Sequence, residues 1–456
     1  MKKFLTKIQS LGLTKSEWYL LFSPIFIWLS YLPLLHFSKV SGANVELSLL
    51  EIYLVGLVII NLPNIFRNLN SLRQNKIVWL TGLVVILSTL SLFWTSNLSR
   101  GLLTLGVEFV LFGVFLSFLS MKRFKLLMPY LIQIYIFSAV IMSFLALIQV
   151  IYGTWIDFGL CRGCLAAGFG FVRPSLFTAE PQFLGSLLIA PILILAYRLS
   201  ARKWDVFGVV SLSITSLALY LTLSRGAIYA VVIGLIVLAF ISYSHIKKYL
   251  LVLVIILGSF ILGMMVHATS AQFNPHIAGN FYDSISKSVN HLSMGLVSLP
   301  APKISEPITV SEQPKAVFDG YVAKSTDERV NMTSLGLQTW TAQPKTVLIG
   351  VGIGGSGQSI LDYTGKISSS SEIIQNQYIE ILLEKGIIGF VLFGVIIGWL
   401  FYTTRHKKVV WAILVAFLLQ WNMFSGYPNA LHAYLIIAAL LCYYSQYFTK
   451  KKYKAL

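Results

Sequence analysis

The chain has 456 residues, of which 56% are hydrophobic and only 11% are charged. Soluble domains are about 45–50% apolar and about 25% charged, so these polar residues are too few to cover a water-facing surface. The composition predicts an integral membrane protein, and its 33 Gly, 14 Pro and 3 Cys exclude collagen-like, disordered and disulfide-rich classes.

Twelve apolar runs are long enough to cross the roughly 30 Å hydrocarbon layer of a membrane as helices. They predict an all-α bundle of about twelve transmembrane helices that form one integral membrane domain. Nine predicted helices lie in residues 1–267 and three in residues 376–456, on either side of a long extracytoplasmic loop at 268–375. The runs are 17–36, 47–66, 77–94, 101–120, 126–152, 178–198, 204–223, 226–244, 248–267, 378–402, 409–424 and 430–448.

The net charge of +18 is concentrated in every second loop. If the N-terminus is cytoplasmic, the inside segments carry a net charge of +20 and the outside segments −2. This distribution is the positive-inside pattern of membrane proteins, and the surplus charge faces anionic lipid headgroups. It argues against a nucleic-acid-binding protein, in which basic residues lie on one folded polar face.

The loop at 268–375 combines three kinds of sequence. Apolar residues at helical spacing from Phe281 to Leu296 predict an amphipathic helix on the outer leaflet. Four prolines between 300 and 314 interrupt regular structure, and a short helix is predicted at 327–343. Because long loops in compact bundles are commonly functional, we expect a functional role for this one.

Charged residues near the predicted outer surface suggest an anion site. Arg173 and Glu180 lie in the segment FVRPSLFTAEPQ, Arg225 lies in the tight turn LSRGA between two spans, and Arg329 follows two acidic residues. Guanidinium groups bind phosphate oxygens through paired donors, so converging arginines would suit a pyrophosphate-linked lipid. The alternative is that each arginine reaches the lipid interface or pairs with a loop carboxylate.

Other motifs give weaker indications. Cys161 and Cys164 form C-x-x-C without a second pair at zinc spacing, so they predict a local disulfide or two free thiols rather than a metal site. Gly350, Gly352 and Gly355 match G-x-G-x-x-G outside a strand, turn and helix context, which favours a tight turn over a dinucleotide site. Acidic residues in the predicted spans lie towards the outer ends, which argues against an ion-coupled pump.

Two stretches of the sequence carry a family resemblance: SRGA after one span, and QNQYIEILLEKGIIG just past GVGIGGSG. From about Arg173 to Gly389, the chain resembles the bacterial O-antigen ligase and polymerase family. Its members are multi-spanning enzymes that transfer glycans from undecaprenyl pyrophosphate. The resemblance implies a multi-pass protein of the bacterial plasma (inner) membrane whose active site faces the extracytoplasmic side. It also implies an enzyme without metal or cofactor. The implied partners are the lipid-linked oligosaccharide, membrane lipids, and a chain-length regulator and flippase of the same pathway, but no nucleic acid.

One motif of the family is altered in this chain. Ligases carry His-Asn, nine residues, and Gly-x-x-Gly, whereas this sequence has Gln375-Asn376 before Gly386 and Gly389. Gln cannot accept a proton at neutral pH, so either another group is the general base or the site stabilises charge and orients the sugars without a strong base. Glu180 and Glu372 are the candidate bases, and Glu180 is preferred because a carboxylate next to a proline at the mouth of a span is harder to explain structurally. By the resemblance, Gln375 faces the reacting sugars, with Asn376 and Tyr378 among the substrate-binding residues.

The sequence thus predicts a membrane glycosyltransferase that polymerises a polysaccharide of the O-antigen, capsule or exopolysaccharide type. It would transfer a glycan from undecaprenyl pyrophosphate onto a lipid-linked repeat unit. The first alternative is an O-antigen ligase that transfers the glycan to lipid core or protein. The second is a flippase of lipid-linked oligosaccharides, which performs no chemistry.

Overall fold

The computed structural model describes residues 8, 10–30, 33–40, 43–152, 172–178, 180–201, 204–273, 281–297, 299, 321–367, 369–370, 372, 374–424 and 431–453. The predicted proline-rich break and the Cys161–Cys164 pair lie outside these residues. The described residues form a β-hairpin, β1 (Pro33–Val40) and β2 (Ala43–Ser48), and seventeen α-helices. The helices are α1 (Lys15–Phe26), α2 (Leu49–Arg67), α3 (Leu69–Arg73), α4 (Lys76–Ser91), α5 (Leu98–Ser120), α6 (Phe124–Tyr152), α7 (Pro181–Ala201), α8 (Val206–Thr222), α9 (Arg225–Ile241), α10 (Ile246–Phe273), α11 (Phe281–Leu292), α12 (Tyr321–Thr341), α13 (Pro344–Ile349), α14 (Ser356–Thr364), α15 (Gln377–Thr403), α16 (Lys408–Gln420) and α17 (Leu431–Tyr453).

The predicted helical membrane architecture is confirmed, but the predicted number of spans is not. By length and composition, six of the described helical stretches could cross a membrane. Five further apolar helices of 10–17 residues are shorter than a typical span: Lys76–Ser91, Val206–Thr222, Arg225–Ile241, Lys408–Gln420 and Leu431–Tyr444. About twelve transmembrane helices therefore remains a prediction.

The first predicted span, 17–36, differs most from the structure. Helix α1 has 12 residues, so it is only about 18 Å long. A short 3₁₀ turn at Ile27–Leu29 follows it, and the chain then extends into β1, which pairs with β2 in antiparallel fashion. Pro33 is the first residue of β1, and a proline cannot donate the hydrogen bond that would continue a helix.

Helix α7 is the central element of the bundle. Of its most apolar 18-residue window, 83% is buried, compared with 28–50% for the other five long helices. It packs against α8, α9 and α16, and residues such as Leu187, Leu188 and Leu193 are fully enclosed. Because α7 has so little surface for lipid, its N-terminal turn is held by protein on several sides.

Helix α15 is broken at Gly386, where φ is 64° and ψ is −170°. The break leaves the carbonyls of Leu383 and Glu384 available to another segment. They accept hydrogen bonds from the backbone N–H groups of Val351 at 2.8 Å and Gly352 at 3.0 Å. The loop after α13 therefore crosses α15 at its break and is fixed there by backbone pairing.

Segments predicted to be cytoplasmic meet at one end of the bundle. Arg123 Nη2 donates to the carbonyl of Leu11 at 2.7 Å, which joins the N-terminal segment to the loop before α6. Asn68 Nδ2 donates to the carbonyl of Ser120 at 3.2 Å, which joins the α2–α3 junction to the same end. The grouping agrees with the charge pattern, and the side of the membrane remains a prediction.

Candidate functional site

The turn SRGA is formed by a change of backbone direction between α8 and α9. Leu223 adopts a left-handed conformation with φ of 47° directly after α8, and α9 begins at Arg225. Helix α7 packs closely against this turn because Gly185 has no side chain. A Cβ atom on Gly185 would lie 2.8 Å from Cβ of Ser224. The N-terminal turns of α7 and α9 are therefore neighbours.

A polar cavity of about 80 Å³ lies at these helix termini. Arg173, Arg225, Arg329 and Glu180, all singled out from the sequence, contribute to its wall. The structure thus brings together side chains from three separate segments, because Arg173 and Glu180 belong to one. Because the backbone N–H groups at helix N-termini carry partial positive charge, α7 and α9 add to the positive potential of the three arginines. The cavity has the chemistry of an anion-binding site.

The arginines are held by different contacts. Arg225, the first residue of α9, is only 6% exposed. Arg173 Nε donates to the carbonyl of Thr222 at 2.8 Å, which ties the segment before α7 to the end of α8. Arg329 reaches from α12 and donates through Nη2 to Gln182 Oε1 at 3.3 Å. These contacts orient three cations from separate elements towards one space.

Glu180 and Gln182 contribute a carboxylate and an amide to the cavity wall. Gln182 Nε2 donates to Glu180 Oε2 at 2.6 Å, and Gln182 in turn accepts from Arg329. The side chain of Glu180 is exposed just before the N-terminus of α7, where a negative charge interacts favourably with the helix dipole. A carboxylate with an accessible oxygen therefore stands beside the arginines.

His291 is a wall residue that the sequence analysis did not predict. It lies near the end of α11, is 4% exposed, and its Nε2 donates to the carbonyl of Leu223 at 3.0 Å. Burial and the neighbouring Arg173 and Arg225 guanidinium groups lower the pKa of His291 to about 2, so the ring is neutral at physiological pH. Its place on the predicted amphipathic helix was a usable signal, but that helix was expected to contact lipid rather than the SRGA turn.

The family-motif residues before α15 do not line this cavity. Asn376 is the N-cap of α15, and its Oδ1 accepts from the backbone N–H groups of Tyr378 at 3.1 Å and Ile379 at 3.3 Å. The hydroxyl of Tyr378 donates to the carbonyl of Leu418 at 2.5 Å. Both side chains therefore have local structural partners, and substrate binding by them remains a prediction.

Gln375 and Glu372 lie on the approach to α15. Glu372 is exposed, whereas Gln375 is half-buried. The Oε1 atom of Gln375 is buried and has no hydrogen-bond partner among the residues that the structure describes. Of the two candidate bases, the structure thus places Glu180 with the arginines and Glu372 away from them.

The two glycines of the family motif, Gly386 and Gly389, lie where a side chain would clash with neighbouring atoms. A Cβ atom on Gly386 would lie 2.3 Å from the carbonyl oxygen of Leu348, and one on Gly350 would lie 2.3 Å from that of Glu384. A Cβ atom on Gly389 would lie 2.2 Å from Cβ of Lys385. Gly386 and Gly350 therefore allow the loop to cross α15. The tight turn predicted at Gly350 and Gly352 has positive φ angles at both positions.

A second, mostly apolar cavity of about 190 Å³ lies between α4, α5, α15 and α17. At its polar end Lys385 forms an ion pair with Glu108, and Glu380 and Glu384 are buried nearby. Ionisable groups are costly within a membrane, so such a cluster needs close pairing. Among the described residues, no group of three or more His, Cys, Asp or Glu side chains could hold a metal ion.

The geometry can be compared with known proteins. Residues 209–394 match the family model of the O-antigen ligase domain. This match supports the resemblance to the O-antigen ligase and polymerase family that the sequence motifs indicate. No curated protein matches it significantly. The match to the family begins within α8 and ends within α15, so it includes the SRGA turn, His291, Arg329 and the glycine motif. Arg173 and Glu180, which face these residues across the cavity, precede it.

Proposed function

We propose that the protein is a polysaccharide polymerase that transfers a glycan from undecaprenyl pyrophosphate onto a lipid-linked repeat unit. The observation that carries this proposal is the meeting of three arginines and two helix N-termini in one cavity. A pyrophosphate carries several negative charges on oxygens that match the paired donors of guanidinium groups. Polymerisation is preferred to ligation because Gln375 replaces the ligase histidine.

In the proposed reaction, a hydroxyl oxygen of the acceptor repeat unit attacks the anomeric carbon of the donor glycan. A new glycosidic C–O bond forms while the bond from the anomeric carbon to the pyrophosphate oxygen breaks. The electron pair leaves with the pyrophosphate, where Arg173, Arg225 and Arg329 stabilise the charge. The hydroxyl proton passes to Glu180, which is exposed beside these arginines.

We further propose that the cavity faces the extracytoplasmic side of the bacterial plasma membrane. It lies at the starts of α7 and α9, whereas the ends of these helices lead to the basic loops at 198–203 and 245–248. In a chain without its native cysteines, Lys366→Cys should react with an impermeant thiol reagent on intact spheroplasts. Arg73→Cys, also an exposed side chain, should react only after the membrane is opened. The reverse result would contradict this orientation.

Two alternatives keep specific support. The name of the matched family, O-antigen ligase, favours transfer to a different acceptor. The break of α15 beside the Glu108–Lys385 ion pair is a feature that transporters also use, which keeps a flippase among the candidates.

Purified protein supplied with a synthetic lipid-linked repeat unit separates the three candidates. A polymerase yields a ladder of lengthened lipid-linked products. A ligase yields a single transfer that depends on an added foreign acceptor. A flippase yields no new glycosidic bond but moves the labelled lipid across a vesicle membrane.

A further inference from the structure

Three buried polar side chains form a hydrogen-bonded triad next to the arginine-lined cavity, which is called the anion cavity below. Ser186 Oγ lies 2.8 Å from Gln420 Oε1 and 2.8 Å from His432 Nε2. Ser186 and His432 are 1% exposed and Gln420 is 2% exposed. They come from α7, α16 and α17, so the triad links three helices of the bundle.

With Oε1 of Gln420 facing Ser186, the hydrogen atoms of these three side chains have one consistent arrangement. The hydroxyl of Ser186 has a single hydrogen, which it donates to the carbonyl oxygen Oε1 of Gln420. Ser186 must then accept from His432, so His432 carries its proton on Nε2. A ring nitrogen that already bears a proton cannot accept another. The geometry therefore favours a hydrogen-bonding role for His432 over that of a base acting through Ser186.

Gln420 connects this triad to the anion cavity. It lies in the cavity wall, and its Cγ would be 3.7 Å from a Cβ atom on Gly226, the residue after Arg225. Its oxygen is engaged by Ser186, so the amide nitrogen is the polar end left for the cavity. This nitrogen has no hydrogen-bond partner within the part of the chain that the structure describes.

We propose that Gln420 binds the substrate pyrophosphate through its amide N–H groups, and that Ser186 and His432 are positioning residues that hold this amide in the required orientation. The inference rests on the proposed function of the cavity. An amide can present either its oxygen or its nitrogen to the cavity, and only the nitrogen is attractive to an anion. Fixing the orientation therefore determines whether Gln420 supports or opposes binding.

The test measures equilibrium binding of undecaprenyl pyrophosphate, without a glycan, to the purified full chain in detergent micelles. Gln420→Met keeps the length of the side chain but removes the donor, and Ser186→Ala removes the partner that orients it. We expect each to weaken binding about tenfold, the usual value of one hydrogen bond to a charged group. Ser143→Ala removes another buried hydroxyl, away from the cavity, and should leave binding unchanged.

Two substitutions of His432 distinguish orientation from proton transfer. Gln places an N–H donor near the former Nε2 position, whereas Leu places none. We expect His432→Gln to bind and turn over like the wild type, and His432→Leu to show the same loss of binding as Ser186→Ala. If turnover is abolished in His432→Gln while binding is intact, His432 acts in proton transfer and the inference is wrong.

The outcome also separates this inference from the proposed function. If the wild type does not bind undecaprenyl pyrophosphate, the function assigned to the cavity fails. If the wild type binds it and Gln420→Met binds equally well, only the role of Gln420 fails. Thermal unfolding of each variant shows whether a loss of binding reflects a loss of folded protein.

Discussion

The backbone N–H of Gln377 donates to the carbonyl oxygen of Trp421 at 2.9 Å. Gln377 is the first residue of α15, directly after the family motif Gln375-Asn376, and Trp421 lies between the cavity residues Gln420 and Met423. The turn after α16 thus contacts the motif on one side and forms the cavity wall on the other. Changes in the motif segment can therefore affect the arginine site although none of its predicted residues lines it.

The first prediction concerns Arg225. Lysine keeps the positive charge but loses the paired donors of guanidinium. Its compact ammonium group therefore binds a pyrophosphate less well. Because a hydrogen bond to a charged group contributes about 1.5–3 kcal/mol, we expect Arg225→Lys to lower kcat/KM for the lipid-linked donor by roughly 10- to 100-fold. Turnover of a synthetic donor by purified protein measures the effect.

Arg405→Lys is the matched control for this change. Arg405 is exposed, follows the C-terminal end of α15, and its guanidinium lies 4.8 Å from the ring centre of Tyr402. It does not line the cavity. It should keep wild-type turnover. An Arg225→Lys protein with undiminished kcat/KM would show that Arg225 only supports the helix terminus.

The second prediction compares the two candidate bases. Glu180 lies in the cavity wall, whereas Glu372 does not. A general base contributes about 10²- to 10⁴-fold to rate, so Glu180→Gln should lower kcat by that factor with little change in donor binding. Glu372→Gln, which makes the same chemical change, should remain close to wild type. Near-normal polymer output from both variants would exclude a carboxylate base at either position.

The sequence was most informative where chemistry depends on residue type. Charged groups near the predicted membrane surface indicated an anion site, and the structure places all four candidates around one cavity: Arg173, Arg225, Arg329 and Glu180. Their convergence was not predictable from spacing, because it depends on how α7, α9 and α12 pack. Apolar runs likewise identified helices but gave no order of packing.

Contacts made through backbone groups could not be predicted from the sequence. His291 enters the site because its ring donates to the Leu223 carbonyl, and a carbonyl leaves no trace in the sequence. The motif position Gln375 was expected to face the site, yet it does not line the cavity, and the motif segment contacts the turn that forms the cavity wall through the Gln377–Trp421 bond. The span predicted at 17–36 ends early for a similar reason, since strand pairing after Pro33 competes with helix formation.

The third prediction concerns the break in α15. A Cβ atom on Gly386 would lie 2.3 Å from the Leu348 carbonyl oxygen, and its φ of 64° is unfavourable for other residues. Gly386→Ala should therefore displace the loop after α13 and lower both the yield and the melting temperature of the purified protein. Gly394→Ala and Gly398→Ala lie in the same helix, where nothing is within 4 Å of a new Cβ atom. They should be neutral or slightly stabilising, and equal behaviour of all three variants would contradict the proposed crossing.

The last prediction uses the pKa of His291. Burial and the Arg173, Arg225 and Arg329 guanidinium groups lower it to about 2, whereas a histidine in an unfolded chain titrates near about 6.5. Between these pH values the unfolded chain binds a proton that the folded chain does not. The contribution of His291 to the free energy of unfolding is therefore fully present above about pH 6.5 and decreases as the pH falls. One proton corresponds to a slope of about 1.4 kcal/mol per pH unit, which is an upper limit for this group.

His291→Gln keeps an N–H donor for the Leu223 carbonyl but cannot bind the extra proton. Thermal unfolding between pH 7 and pH 4 should therefore show a smaller loss of melting temperature in this variant than in the wild type. His406→Gln removes an exposed histidine and should reproduce the wild-type pH dependence. If the His291→Gln protein loses stability on acidification as steeply as the wild type, the ring is not held neutral in the folded protein by burial and the neighbouring arginines.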